Sequence, residues 1–245
     1  MRRLYAESFA PWCEKARWAL DHRRLPYRFI EHVPLAGEAA LRLAARKPFG
    51  LVTVPLLVDD GVVVMGSLAI ARHAERVGEG PSLFPREPRE DVVMEWDRRS
   101  EEVMSAGRAL MLGRMLRSNA ALCEQVPTFV PKPMRTALGK AGVRFIVSKH
   151  SVSLDDEVRH ENEIRRTLDE LRRALDGDQL HLVGDTLSYA DVTMACALQF
   201  VLPVADRYIR LGPATREVWT HHGLASEYAD LIAWRDRVYA DSRAA

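Results

Sequence analysis

Cysteine is scarce in this 245-residue chain: Cys13, Cys123 and Cys196 are far apart and odd in number. That excludes a disulfide framework and supplies no zinc-ligand spacing, so each is read as a thiol. An excess of one charge is also missing, since 35 Lys and Arg against 34 Asp and Glu leave a net charge of +1. No field strong enough to hold nucleic acid or an anionic membrane is implied, and neither partner is expected. Long apolar runs are absent too. The longest uncharged stretch near the C-terminus, Val192 to Ala205, has 14 residues and contains Pro203. It is too short to cross a bilayer and reads as a buried helix. MRRLYAESFA reaches Glu7 before any apolar core forms, so no signal peptide is expected and the cytoplasm is the default location. What remains, 47% hydrophobic and 28% charged residues, fits a globular protein of one large or two smaller domains.

The first eighty residues alternate short β-type runs with helical stretches, and the rest reads as helix after helix. Leu4 to Ala6 is a strand, Pro11 suits a first helical turn, and Glu14 to Leu20 are good helix formers. Tyr27 to His32 alternates as a second strand, and a helix follows over about Gly37 to Arg46. Val54 to Val58 and Val62 to Met65, around Asp59-Asp60-Gly61, form a hairpin signature. Ser67 stands as the N-cap of a helix with Leu68, Ile70, Ala71 and Ala74 on one face. The predicted order is β-α-β-α-β-β-α over 1–80, then a Pro- and Gly-rich linker over 81–90 with its boundary near 86, then an all-helical domain over 91–245. Within that domain, helices are predicted over Asp91–Arg117, around Ile164, Leu168, Leu171 and Leu175, and over Tyr228–Tyr239. Val126 to Ser153, with Pro127, Pro131 and Pro133, supports one turn-rich helical segment after Met134. Ser188 and Asp191 form a capping box, Ser188 capping the N–H three residues on and Asp191 reaching back.

Several residues carry chemistry on their own terms. An X-Pro bond can be cis, and a cis Val54-Pro55 would turn the Val54 N–H and C=O outward, ready to pair with an extended peptide. Ser67 at a helix start offers a hydroxyl and free N–H groups to a carboxylate. Cys13 lies in a first helical turn with Lys15 and Arg17 near it in sequence, which would lower its thiol pKa. Met104, Gly107, Arg108 and Met111 share one helical face. His221-His222 lacks further ligands for a metal, Cys123 and Cys196 read as structural, and Arg165, Arg166, Arg172 and Arg173 read as a solvated helix face.

Three ordered blocks, LYAESFAPWCEKARWAL, KPFGLVTVPLLVDDGVVVMGSLAIARH and LVGDTLSYADVTMA, together resemble the cytosolic glutathione transferase superfamily over almost the full chain. The resemblance implies a thioredoxin-like domain with an all-helical bundle behind it. It further implies a two-fold homodimer and glutathione as co-substrate, without a metal. The cysteinyl part of glutathione would pair with Val54, beside Pro55, and its γ-glutamyl carboxylate would sit at Ser67. A hydrophobic small-molecule electrophile would bind between the domains, near Phe9, Trp12, Met104, Arg108 and Met111. Two departures stand out. The residue before the serine, typically acidic or Gln, is Gly66, and the position of a catalytic Cys or Ser is Ala10, so APWC looks like CPxC without its first cysteine. Three substitutes for that side chain follow: the backbone N–H of Ala10 and of the helix start as an oxyanion-type hole, Cys13 through mixed disulfides, or Ser8, two residues early in the register. The expected activity is a glutathione-dependent transferase. The alternatives are a non-catalytic binding module on the same fold and a thiol-disulfide reductase acting through Cys13.

Overall fold

In the computed structural model, which describes residues 1–85, 89–175 and 179–243, period-two alternation sorts the first strands between two small cores. Strand β1 (Arg3–Ala6) sends Leu4 and Ala6 to a cluster with Cys13, Ala16 and Leu20 of helix α1 (Pro11–His22) and with Ile70 and Ala74 of helix α3 (Ser67–Val77). Its Tyr5 packs on the other side, against Leu41 of helix α2 (Glu38–Ala45), Val52 and Leu56. Strand β3 (Leu56–Asp59) is divided the same way, Leu57 to the first cluster and Leu56 to the second. The sheet order is β2-β1-β3-β4, with β2 (Arg28–Glu31) parallel to β1, β3 antiparallel to β1, and β4 (Val62–Met65) antiparallel to β3. This is the expected thioredoxin-like β-α-β-α-β-β-α arrangement. Its hairpin turn places Asp60 at φ 44° and Gly61 at φ 93°.

The helical part runs α4 (Arg89–Arg117), α5 (Asn119–Glu124), α6 (Lys132–Lys149), α7 (Glu157–Ala174), α8 (Tyr189–Ala197), a short 3-10 turn at Leu198–Phe200, α9 (Pro213–Trp219), α10 (His222–Glu227) and α11 (Ala229–Ser242). The expected boundary near 86 lies outside the described residues. The chain forms two compact units, Met1–Arg98 with Gly177–Cys196 and Arg237–Ala245, and Arg99–Asp176 with Ala197–Asp236. In the second, Ile164, Leu168 and Leu171 of α7 are buried as their spacing predicted. Gly107 is required there by close approach: a Cβ would meet Phe200, its Cγ only 2.7 Å away.

Several local expectations need correction. Helix α5 was missing from the sequence reading; Ser118 caps it, accepting the Ala121 N–H at 3.2 Å. Helix α6 starts at Lys132, with Pro133 in its first turn, where a missing N–H costs nothing. The capping box is half as expected: Asp191 accepts the Ser188 N–H at 2.8 Å, but the Ser188 hydroxyl donates to the same carboxylate at 2.8 Å instead of capping the helix N–H. The α7 arginines lie on a solvent-facing side, as expected, and pair there with acids: Arg165 with Glu227 at 3.0 Å, Arg172 with Asp230 at 2.6 Å and Arg166 with Glu102 at 3.3 Å. His221 accepts the Leu224 N–H at 3.3 Å as the cap of α10 and lies 3.2 Å from Glu161.

Candidate functional site

Two segments of the first unit frame the site, and they meet around one apolar cluster. Ala10 and Val54 both pack against the cluster that contains Cys13 and Ile70. Val54 precedes β3, and its peptide bond to Pro55 is cis, as expected. Among the described residues neither the N–H nor the C=O of Val54 has a hydrogen-bonding partner in the chain. The Pro55 carbonyl accepts the Gly66 N–H at 2.9 Å, which holds this segment beside the start of α3.

Ser67 is the first residue of α3 and not its N-cap; the cap is Gly66, whose carbonyl accepts the Ile70 N–H at 3.0 Å. Its φ of 97° and ψ of 146° explain why glycine stands here, because side chains are strained in that region. Space is not the reason, as a Cβ at Gly66 would meet nothing within 4 Å. Gly66→Gln is therefore expected to lower stability by about 1–3 kcal/mol, read by urea denaturation. The Ser67 hydroxyl makes no capping bond, and the N–H groups of Ser67, Leu68 and Ala69 precede the first intrahelical donor. Together they form a donor cluster at the positive end of the α3 dipole.

The turn before α1 differs from expectation in two ways. The Ala10 N–H, proposed from sequence as a thiolate donor, is given to the Glu7 carbonyl at 3.3 Å. Since Pro11 has no N–H, the first main-chain donors of α1 belong to Trp12 and Cys13. Cys13 is the second correction. It is 1% exposed in the apolar cluster, and burial pushes its thiol well above the ordinary range, aided by the nearby Glu7 carboxylate. The bond from the Glu7 N–H to Sγ at 3.3 Å and the Arg17 charge do not offset this. The charge of Lys15, two residues on, is engaged elsewhere, its Nζ pairing with Asp97 at 2.7 Å. Native protein should therefore label with iodoacetamide at half-buried Cys123 before Cys13 or Cys196, both of which should react only on unfolding. Peptide mass spectrometry reads the order.

Ser8 is exposed; its N–H donates to Glu31 Oε1 at 3.0 Å and its carbonyl accepts from Arg17 at 3.5 Å. Sequence reasoning missed Glu31, whose place depends on the parallel register that pairs Ala6 with Glu31. Phe9 and Trp12 are half-buried. Of the helical candidates, Met104 is fully buried and Met111 nearly so, which places both with packing residues, while Arg108 is half-buried.

Residues 9–77 match the family described as glutathione S-transferase, N-terminal domain, and residues 155–237 match its C-terminal domain. The chain belongs to the glutathione transferase superfamily. A probable glutathione S-transferase from Solanum tuberosum is 27% identical to this superfamily member over 86 residues, 35% of this chain and 38% of that protein. The chain thus spans less than two-fifths of the length of the curated relatives it matches. A glutathione S-transferase domain-containing protein of Marinobacter aquaeolei has a similar fold, with a TM-score of 0.65 at 20% identity over 99% of this chain and 100% of that one. A glutathione S-transferase of Ceriporiopsis subvermispora, solved in complex with glutathione, gives 0.63 at 19% identity over 98% and 95%.

Proposed function

We propose that this superfamily member binds glutathione in its thioredoxin-like unit and adds, or transiently uses, the glutathione thiolate on a hydrophobic electrophile. The observation that carries the reading is the pairing of unpartnered Val54 main-chain groups with the donor cluster of α3, tied together by the Gly66 to Pro55 bond. An extended peptide laid along Val54 gains two main-chain hydrogen bonds, and a carboxylate at its end meets the Ser67 hydroxyl and the helix N–H groups. Glutathione has both features. Its thiol then falls toward the turn before α1, where the Trp12 and Cys13 N–H groups at the helix start favour the thiolate. No protein thiol takes part in this scheme, so Cys13→Ala keeps glutathione affinity and turnover.

Ser67→Ala is the direct test. It should weaken glutathione binding about tenfold, the loss of one hydrogen bond to a charged group, with the fold unchanged by circular dichroism. Unaltered affinity would move the carboxylate away from α3. A second reading, binding without turnover, is favoured by the turn itself: Ala10 has no hydroxyl or thiol and its N–H is engaged by Glu7. Assay against an activated aryl halide separates the two, since the enzyme consumes glutathione and the binding module does not. A two-fold homodimer belongs to the same proposal and is checked by sedimentation.

A further inference from the structure

The Ser8 peptide, in the turn before α1, is held from two sides by opposite charges. Glu31 of β2 accepts its N–H at 3.0 Å, and the Arg17 guanidinium reaches back from α1 to donate to its carbonyl at 3.5 Å while lying over the Phe29 ring, 5.5 Å from the centroid. This turn leads directly into the Trp12 and Cys13 N–H groups. The charges felt at Cys13 are Glu7 and Glu31, which oppose an anion, and Arg17, which favours one. Where Arg17 stands therefore decides how well the field at the helix start suits a thiolate.

Arg17 is itself placed by a second residue of α1. Its Nη1 lies 3.1 Å from Oε2 of Glu14, three positions earlier on the helix. The Glu14 carboxylate is 1% exposed, and its other cation comes from 229 positions along the chain. Arg243, just past α11, donates from Nε to Oε1 at 2.7 Å and from Nη2 to Oε2 at 3.5 Å. Its Nη1 reaches Asp21 Oδ2 at 2.8 Å, and the guanidinium carbon lies 5.9 Å from the Trp18 ring centroid, so this buried side chain runs along α1 from Glu14 to Asp21. Two cations and two carboxylates balance on that face. A buried carboxylate needs a cation beside it. With Arg243 gone, Glu14 would depend on Arg17 alone and draw its guanidinium along the helix, away from Ser8.

We infer that Arg243 is a positioning residue for the glutathione reaction: by sharing Glu14 it leaves Arg17 at the Ser8 carbonyl, and so fixes the turn before α1 for formation of the glutathione thiolate. The inference rests on the proposed glutathione site, whose binding groups, Val54 and the start of α3, belong to other segments. Arg243 therefore acts on the thiol and not on affinity.

The pKa of the bound glutathione thiol, read from the ultraviolet absorbance of the thiolate against pH, tests this alongside the affinity by calorimetry. Arg17→Met should raise that pKa by about one unit, the effect of one close charge. Arg243→Gln should raise it by about half a unit, with the glutathione dissociation constant unchanged. The two together should do no more than Arg17→Met alone, since one acts through the other. Adding Glu14→Gln to Arg243→Gln removes the carboxylate that draws Arg17 away, and should return the pKa toward that of the wild type. This pair also leaves no unpaired carboxylate at position 14, so it carries the test if Arg243→Gln alone does not fold, which circular dichroism checks. Arg28→Gln, at an exposed cation of β2, should change nothing. A thiol pKa unmoved by Arg243→Gln, additive effects of Arg17→Met and Arg243→Gln, or a raised pKa in the pair with Glu14→Gln would overturn the inference. If the wild-type protein binds no glutathione, the site reading fails instead, and the coupling is decided without ligand: the Ser8 and Ala10 amide resonances should move in Arg243→Gln, and unmoved resonances would overturn it.

Discussion

Replacing Asp191 with alanine should lower the unfolding free energy by about 3–4 kcal/mol, read from urea midpoints at constant slope. The carboxylate is fully buried and accepts three hydrogen bonds, from the Leu182 N–H at 2.7 Å and from the N–H and hydroxyl of Ser188, both at 2.8 Å. Removing it leaves buried donors with nothing to replace the lost water, which costs more than the bonds themselves contribute. The same carboxylate, 3.7 Å from His181 Nδ1, raises that imidazole's pKa. Asp191→Ala should therefore return His181 toward its ordinary value by NMR titration. A loss below about 1 kcal/mol would mean that the segment before α8 does not depend on this residue.

Lys15→Met should cost about 3–5 kcal/mol, because breaking a buried ion pair leaves the surviving charge in a poor environment. The Lys15 side chain is fully buried, with Nζ 2.7 Å from Asp97, and the Thr193 hydroxyl donates to the same oxygen at 3.0 Å. Methionine fills much the same volume, so the loss reports charge and not a cavity. The double variant Lys15→Met with Asp97→Leu separates the two explanations: it should recover most of the stability, since an apolar pair in such a place is often neutral or better. If the double variant is no more stable than the single one, packing and not the buried charge is the reason.

How far the sequence led depended on whether a feature was local. Leu4, Ala6 and Tyr5 alternate over one strand, and the structure divides them between two cores accordingly. The hairpin around Asp60-Gly61 and the α7 stripe through Ile164 and Leu168 were legible for the same reason: a turn and a helical face are written within a few residues. Val54-Pro55 and the start of α3 were found through turn and cap chemistry, with Ser67 misplaced by one position. Only the backbone φ of Gly66 shows which residue is the cap, and sequence does not carry it.

Burial over long sequence distance was not legible. Lys15 and Cys13 are two residues apart, and sequence proximity suggested one electrostatic neighbourhood. The helix instead turns Lys15 to Asp97, 82 positions away, and Cys13 into the apolar cluster, which reverses the expected direction of the thiol pKa. Met104 and Met111 share a helical face, as spacing required, but spacing cannot say whether that face meets ligand or core.

The central claim is that Val54 and the N-terminus of α3 form a glutathione site without an acidic side chain at position 66 and without a reactive cysteine. Isothermal titration of the purified protein with reduced glutathione at neutral pH tests it most directly. The account predicts saturable binding between micromolar and low-millimolar affinity, unchanged in Cys13→Ala and weaker in Ser67→Ala. No saturable heat up to about 10 mM glutathione, an affinity weaker than roughly −3 kcal/mol, would contradict it.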